Sequence, residues 1–286
     1  MGDTYYEFTE VRPNVYRIYS PENVFMDLFI GKEKALLFDT GYGFDNLKEA
    51  IRSKTDLPLI IVNSHGHPDH TYGNYWFDEE IYIHEKDMEL CRRFNSVKAR
   101  AEDAEDAKQT EDYNTHEFRN ILPKDFDKEF YAHQAMGKLV PVKEGDVFEL
   151  GGITLEVYEF PGHTPGSIGL YYKEEKILYV SDAINDFLWL FLPESLNLKT
   201  YLASLYKARE MDFLYFYRGH NPAQGTRETL EELIDCAENL DYDYGIPYNI
   251  PLTVKMPAKV CPRRGYGPFD FGKPGFAAIV IGKDHL

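Results

Sequence analysis

Between residues 14 and 40 the apolar positions fall in short runs, Val15-Tyr-Arg-Ile-Tyr19, Val24-Phe-Met-Asp-Leu-Phe-Ile30 and Lys34-Ala-Leu-Leu-Phe-Asp39, separated by glycines and charged pairs. This pattern predicts three strands. Asn46 to Arg52 fits a short helix, and the continuous apolar run at 59–63 fits a buried strand. Ile81 to His84 predicts a further strand. It opens a helix-rich stretch, approximately 85–137, with no strand pattern of comparable quality, which reads as an insertion on a β-rich core. Strand patterning returns at 139, with a hairpin over 147–157 around Gly151-Gly152 and strands at 169–172 and 176–180. Leu198 to Arg209 is amphipathic, Leu214 to Tyr217 is a strand, and Thr226 caps a helix with Leu230, Leu233, Ile234, Ala237 and Leu240 at helical spacing. The segment from approximately 246 to 286 is rich in proline, glycine and aromatics, and no element is predicted there. Two sheet-forming blocks, each followed by helix, are the only hint of internal repetition.

A chain of 286 residues with 43% apolar content can bury a large core, so a single domain spanning 1–286 is expected. No apolar run reaches membrane-span length, and the N-terminal residues lack the pattern of a signal peptide. Three cysteines, Cys91, Cys236 and Cys261, are too few and too scattered for a disulfide framework. They fit a reducing, cytoplasmic setting. A net charge of −17 opposes nucleic acid and anionic membrane as partners and leaves a small-molecule substrate as the expected one. Most of that charge reads as solvated surface, including the acidic helix-like stretch 101–107.

Ser64-His-Gly-His-Pro-Asp-His-Thr71 changes the picture. His65, His67, Asp69 and His70 place three imidazoles and a carboxylate within six residues, directly after a buried strand. In an extended segment, residues two apart point the same way, so His65 and His67 can grip one ion. Pro68 bends the chain, and Asp69 and His70 beyond it can reach a second. Three more potential ligands follow strands in the same manner: His163 in Pro161-Gly-His-Thr-Pro-Gly-Ser167, Asp182 in Val180-Ser-Asp182, and His220 after Arg218-Gly219. Five histidines and two aspartates suit two divalent ions with a carboxylate between them. Taken alone, His220 or Asp182 would read as turn chemistry; alongside the first cluster they read as its missing ligands. Ser167 reads as a residue that steadies its turn. The remaining histidines, His84, His116, His133 and His285, read as surface or core.

The order Asp39, His-x-His-x-Asp-His, His163, Asp182, His220 resembles the metallo-β-lactamase-fold hydrolase superfamily, and the Pro-Gly-His-Thr-Pro-Gly-Ser block resembles its glyoxalase II-like branch. The resemblance covers roughly residues 34–221. It implies an α/β fold, a four-layer αβ/βα sandwich carrying the helix-rich insertion. It implies that His65, His67 and His163 bind one metal, that Asp69, His70 and His220 bind the other, and that Asp182 bridges them. Asp39 matches the family's first motif and is expected to orient a ligand or its turn. Zinc is the first expectation for the two ions, with iron or manganese as alternatives.

The resemblance also implies a reaction. Two ions can hold a hydroxide that attacks an ester, thioester, lactone or phosphoester, with Asp69 moving a proton to the leaving group and Asp39 supporting the catalytic machinery. Alternatives are a nuclease or phosphodiesterase of the same fold, a redox di-iron protein, and a non-catalytic metal-stabilised binding module. His67 stands where the di-iron relatives carry glutamate, and Asn185 where the lactonases carry tyrosine. The 246–286 segment does not match the helical C-terminal domain of glyoxalase II. Lys255, Lys259, Arg263 and Arg264 form a basic stretch that could bind an anionic substrate group, with Tyr266 to Phe271 as an apolar wall beside it. The insertion could serve as a lid or a homodimer contact.

Overall fold

The computed structural model describes residues 5–111, 117–249 and 256–286. The chain divides into two compact units, 1–155 and 156–286.

The first unit contains β1 (Glu7–Arg12), β2 (Val15–Ser20), β3 (Val24–Ile30), β4 (Ala35–Phe38), α1 (Leu47–Arg52), β5 (Leu59–Val62), α2 (Pro68–Thr71), β6 (Glu80–His84), α3 (Glu85–Phe94), α4 (Val97–Asp106), β7 (Thr110–Glu111), β8 (Phe118–Arg119), α5 (Lys128–Ala132), β9 (Lys138–Val142) and β10 (Val147–Glu149). Seven strands form one sheet in the order β1-β2-β3-β4-β5-β6-β9. β1 to β4 pair antiparallel, and β4, β5, β6 and β9 run parallel. The four residues of β4 are all buried, as expected of a parallel strand covered on both faces. Ile18, Met26, Leu28, Leu37, Leu47 and Ile61 lie in one apolar core. The first unit thus has mixed β-strands and helices, as the apolar pattern predicts.

The stretch expected to be rich in helix contains α3, α4 and α5, with the two-stranded β7–β8 ribbon between α4 and α5. Arg100 of α4 is fully buried. Its Nη2 donates to the Tyr72 carbonyl at 2.9 Å and to Asn95 Oδ1 at 2.7 Å. Its guanidinium lies 4.4 Å from the Tyr72 ring and 5.1 Å from the Tyr131 ring. A buried guanidinium needs such partners, since an uncompensated one would be strongly destabilising. Arg100 therefore pins α4 to the backbone just after α2.

The second unit begins inside β11 (Thr154–Glu159) and continues with β12 (Ile168–Tyr172), β13 (Ile177–Ser181), β14 (Phe187–Leu190), α6 (Leu198–Glu210), β15 (Tyr215–Arg218), α7 (Arg227–Glu238), β16 (Ile246–Pro247), β17 (Ala258–Pro262) and β18 (Ala278–Gly282). β11, β12, β13 and β15 neighbour one another in that order. β12 is antiparallel to β13, and β13 is parallel to β15. A further sheet runs β14-β18-β17-β16. The Pro- and aromatic-rich C-terminal segment therefore supplies two substantial strands that the apolar pattern did not reveal. β18 is buried at all five positions. Leu188, Leu190, Tyr201, Leu205, Leu230 and Ile279 belong to one core. Thr226 caps α7, with its side chain accepting from the Thr229 N–H. Among the described residues, no helix is long and apolar enough to cross a membrane.

Candidate metal centre

β4 and β5 are parallel neighbours, with Phe38 opposite Val62. Their carboxyl ends therefore release the chain side by side, the usual position for binding residues on a parallel sheet. The Asp39 N–H donates to the Val62 carbonyl at 2.8 Å. Asp39 has a φ of 67°, a left-handed conformation uncommon outside glycine. That backbone turns its carboxylate across to the neighbouring strand end. The Ser64 N–H donates to Asp39 Oδ1 at 2.7 Å, the Ser64 hydroxyl to Oδ2 at 2.8 Å, and His70 Nδ1 to Oδ2 at 2.9 Å. A buried carboxylate is stable here because several donors converge on it.

The same contacts set the imidazole tautomers. Ser64 Oγ gives its proton to Asp39, so at 2.9 Å it accepts from His65 Nδ1 and leaves His65 Nε2 with a lone pair. That nitrogen lies 3.0 Å from His67 Nδ1. His70 donates through Nδ1 and presents Nε2 to Asp69 Oδ2 at 3.2 Å. Pro68 is the first residue of the four-residue helix α2, with His67 at its N-cap. The bend expected at Pro68 is thus the start of a helical turn, and it separates the His65/His67 pair from Asp69 and His70.

Several positioning groups carry no sequence motif. Asp87, fully buried, accepts the Gly66 N–H at 2.9 Å and so holds the residue between His65 and His67. A Cβ on Gly66 would meet the Asp87 carbonyl oxygen at 2.8 Å, so only glycine fits that approach. Asn63 Nδ2 and the Thr40 N–H both donate to the His70 carbonyl, at 2.9 and 3.0 Å.

In the second unit β13 and β15 are likewise parallel neighbours, with Ser181 paired to Arg218. Ser181 has a φ of 46°, and its carbonyl accepts from the Gly219 N–H at 3.0 Å. Asp182 and His220 leave these strand ends together, with His220 Nε2 at 3.2 Å from Asp182 Oδ2. The flanking turn is clamped by Asp186, which lies 3.2 Å from Arg218 Nη1 and accepts from Asn221 Nδ2 at 2.9 Å. His163 donates through Nδ1 to the Trp189 carbonyl at 2.9 Å and turns Nε2 toward Asp182 Oδ2 at 3.8 Å. Ser167, as expected, steadies this turn: its hydroxyl accepts from the Thr164 N–H at 3.1 Å. A Cβ on Gly162 would meet the Tyr201 ring at 2.9 Å.

The donor chemistry of both clusters fits divalent metal ions. In each, an imidazole held through Nδ1 presents its lone-pair nitrogen to a carboxylate oxygen, acceptor facing acceptor. A cation between such groups relieves the repulsion, and a carboxylate or carbonyl on the far ring nitrogen is the usual support of a ligating histidine. His65, His67, Asp69, His70, His163, Asp182 and His220 all belong to ligand groups that could hold a metal ion.

The basic stretch is placed otherwise. Lys255 lies outside the described residues. Lys259 Nζ donates to the Tyr242 carbonyl at 2.9 Å. Arg263 Nε donates to Asp235 Oδ2 at 2.6 Å, and Asp235 belongs to α7. Arg264 is exposed. Lys259 and Arg263 are thus engaged in tying the C-terminal segment to the body of the second unit.

The model of the metallo-beta-lactamase superfamily matches residues 22–86 and 87–244. The chain is 30% identical over 171 residues to the acyl-coenzyme A thioesterase MBLAC2 of Homo sapiens, covering 54% of this chain and 56% of that protein. It thus spans little more than half the length of this relative. Over 43 residues it is 44% identical to the hydroxyacylglutathione hydrolase of Hyphomonas neptunium, 15% of this chain and 17% of the relative. Among solved structures, a metallo-beta-lactamase family protein from Thermus thermophilus superposes with a TM-score of 0.54 at 22% identity, covering 79% of each chain. The stereoselective sec-alkylsulfatase Pisa1 from a Pseudomonas species superposes with a TM-score of 0.59 at 16% identity, covering 82% of this chain and 42% of that one. These structures share the fold, an α/β architecture of mixed sheets and helices. With the motif order running from Asp39 to His220 inside the matched span, the chain belongs to the metallo-beta-lactamase superfamily.

Proposed function

We propose that this protein is a dinuclear metal-dependent hydrolase acting on acyl thioesters. The observation that carries the reading is the set of imidazoles locked through one ring nitrogen, with the other turned to a carboxylate, in both clusters. His65, His67 and His163 would hold one ion, Asp69, His70 and His220 the other, and Asp182 would serve both. Zinc suits imidazole and carboxylate ligands, and iron or manganese could replace it. When bound, the ions supply an activated water near neutral pH and a Lewis acid for the acyl oxygen.

The chain's own groups do the rest. Asp39 fixes the tautomer of His70 and, through Ser64, that of His65. Asp69, whose side chain is 20% exposed against 2% for Asp39, is the carboxylate able to exchange a proton with solvent or a leaving group. A thiolate leaving group asks little of it. Burial pushes the Cys91 and Cys261 thiols up to about 11 and Cys236 up to about 12, so none is a thiolate nucleophile at neutral pH. The thioester assignment draws on the two relatives named for acyl-coenzyme A and hydroxyacylglutathione. The net charge of −17 counts against a nuclease.

The test combines elemental analysis with a panel of acyl-coenzyme A thioesters, lactones, phosphodiesters and aryl esters, each assayed with zinc, manganese and iron. Close to two metal ions per chain are expected, with thioesters turned over fastest and activity lost to chelator and restored by metal. A fully folded, metal-free protein, or phosphodiester cleavage exceeding thioester cleavage, would overturn the reading.

A further inference from the structure

Successive side chains of a strand point to opposite faces, and β14 divides its residues accordingly. Leu188 and Leu190 enter the core formed with α6 and α7. Phe187 and Trp189 join a separate aromatic cluster with Tyr248. The Phe187 ring lies 5.8 Å from Tyr248, 6.2 Å from Phe269 and 5.1 Å from Phe271, centroid to centroid. Trp189 lies 6.0 Å from Tyr248, and Tyr248 lies 6.5 Å from Phe269. These five rings make one continuous apolar surface. Its outer members stay open, Phe269 being 49% and Phe271 57% exposed. Contiguous exposed aromatic surface of this kind marks a place where something binds.

Two observations choose the occupant. Trp189 contributes its ring to the aromatic surface and its carbonyl to His163 Nδ1, at 2.9 Å. A molecule lying on the rings therefore extends from the neighbourhood of a candidate metal ligand. The net charge of −17 opposes an anionic lipid surface, and Lys273, two residues after Phe271, is paired with Asp270 at 2.7 Å. An uncharged apolar chain carried by the substrate itself fits both conditions. We propose that Phe187, Trp189, Tyr248, Phe269 and Phe271 form a platform for the aliphatic acyl chain of the substrate. The assignment rests on the thioester reading of the metal centre and adds that long acyl chains are selected over short ones.

The test uses Trp189 as its own reporter. The chain has two tryptophans, so Trp76→Phe leaves Trp189 as the sole indole. Dodecanoate should change its fluorescence saturably while acetate does not. Phe269→Ala with Phe271→Ala should weaken dodecanoate binding by roughly tenfold or more, as expected for losing two half-exposed apolar contacts. Phe269→Ser alone should give a smaller loss in the same direction, and far-ultraviolet circular dichroism checks that each variant is folded. In kinetics, the ratio of kcat/KM for dodecanoyl- over acetyl-coenzyme A should fall by about tenfold in the double variant. An unchanged dissociation constant and ratio would overturn the platform, as would a response to phosphatidylcholine vesicles without a response to monomeric dodecanoate. If the wild-type protein hydrolyses no thioester, the functional reading fails and the fluorescence titration alone decides the platform.

Discussion

The two ligand clusters use the same architectural device and different materials. Each grows from the carboxyl ends of two parallel neighbours, β4 and β5 in the first unit, β13 and β15 in the second. Each has a non-glycine residue in the left-handed region at a strand end, Asp39 at 67° and Ser181 at 46°. In the first cluster, however, four candidate ligands lie within six residues, and a side-chain carboxylate, Asp39, orients His70 directly and His65 through Ser64. In the second, three candidate ligands are scattered over 58 positions of the chain, from His163 to His220, and a backbone carbonyl orients His163. A local cluster can rely on one side chain to set its geometry. A dispersed one relies on the sheet that brings its turns together.

Removing one ligand from each half tests this contrast most strongly. His70→Ala and His220→Ala should each lower metal affinity by more than the roughly 10–100-fold typical of losing an orienting partner, measured by competition with a chromogenic chelator. Their effects on stability should diverge. The His70 side chain is fully buried and its loss removes a donor from Asp39, at a cost of about 1–3 kcal/mol by urea unfolding. The His220 side chain is 28% exposed, and its loss should change stability far less. Equal unfolding midpoints for the two variants would erase the distinction.

A subtler break is Asp39→Asn, which keeps the shape but gives His70 and Ser64 an uncharged partner. It should weaken metal binding about 10–100-fold, whereas Asp186→Asn, which acts on the Arg218–Asn221 clamp, should weaken it less than tenfold; isothermal titration with zinc measures both. Next in size come the two close-approach glycines. Gly66→Ala drives a methyl group into the Asp87 carbonyl oxygen at 2.8 Å, and Gly162→Ala drives one into the Tyr201 ring at 2.9 Å. Each should cost about 1–3 kcal/mol, with Gly66→Ala at the upper end because a backbone oxygen yields less than a ring. Equal losses, read from denaturant midpoints, would show the two turns to be equally compliant.

The smallest effect concerns pH. Burial pushes the Asp27 carboxyl up to about 6, although Arg17 lies opposite at 3.2 Å. A raised carboxylate pKa means that the folded state holds the proton more tightly than the unfolded chain. The stabilisation is complete below about pH 4 and disappears as the pH rises through about 6. The stability difference between wild type and Asp27→Asn should therefore move against wild type by about 1–2 kcal/mol between pH 4 and 7.5. A flat difference would mean that Arg17 neutralises the burial penalty.

Legibility in the sequence follows the same divide. The first cluster is plain because its candidate ligands fall within six residues directly after a buried apolar run. His163, Asp182 and His220 gain meaning only beside the first cluster, since each alone looks like turn chemistry. Asp87 escapes because it lies 21 residues from the Gly66 N–H it accepts, and nothing in its local pattern separates it from a solvent-facing helical aspartate. The Trp189 carbonyl escapes because a backbone acceptor leaves no compositional trace. β17 and β18 lie in a segment whose prolines and glycines obscure the apolar pattern, although β18 is buried throughout. The charge of Arg263 is visible in the sequence, but its partner Asp235 is brought to it by α7 packing.

The hydrogen bond from His163 to the Trp189 carbonyl has an evolutionary consequence. Every amino acid supplies that oxygen, so position 189 can change its side chain without changing the basicity of the ligand it supports. Natural variation or a saturation library at 189 can reshape the ground beside the centre while the ligand stays tuned. At position 39 the orienting group is the side chain itself, and the same freedom does not exist. Position 189 is therefore a place where a single substitution can alter the surface beside the second cluster and keep the bond that holds His163.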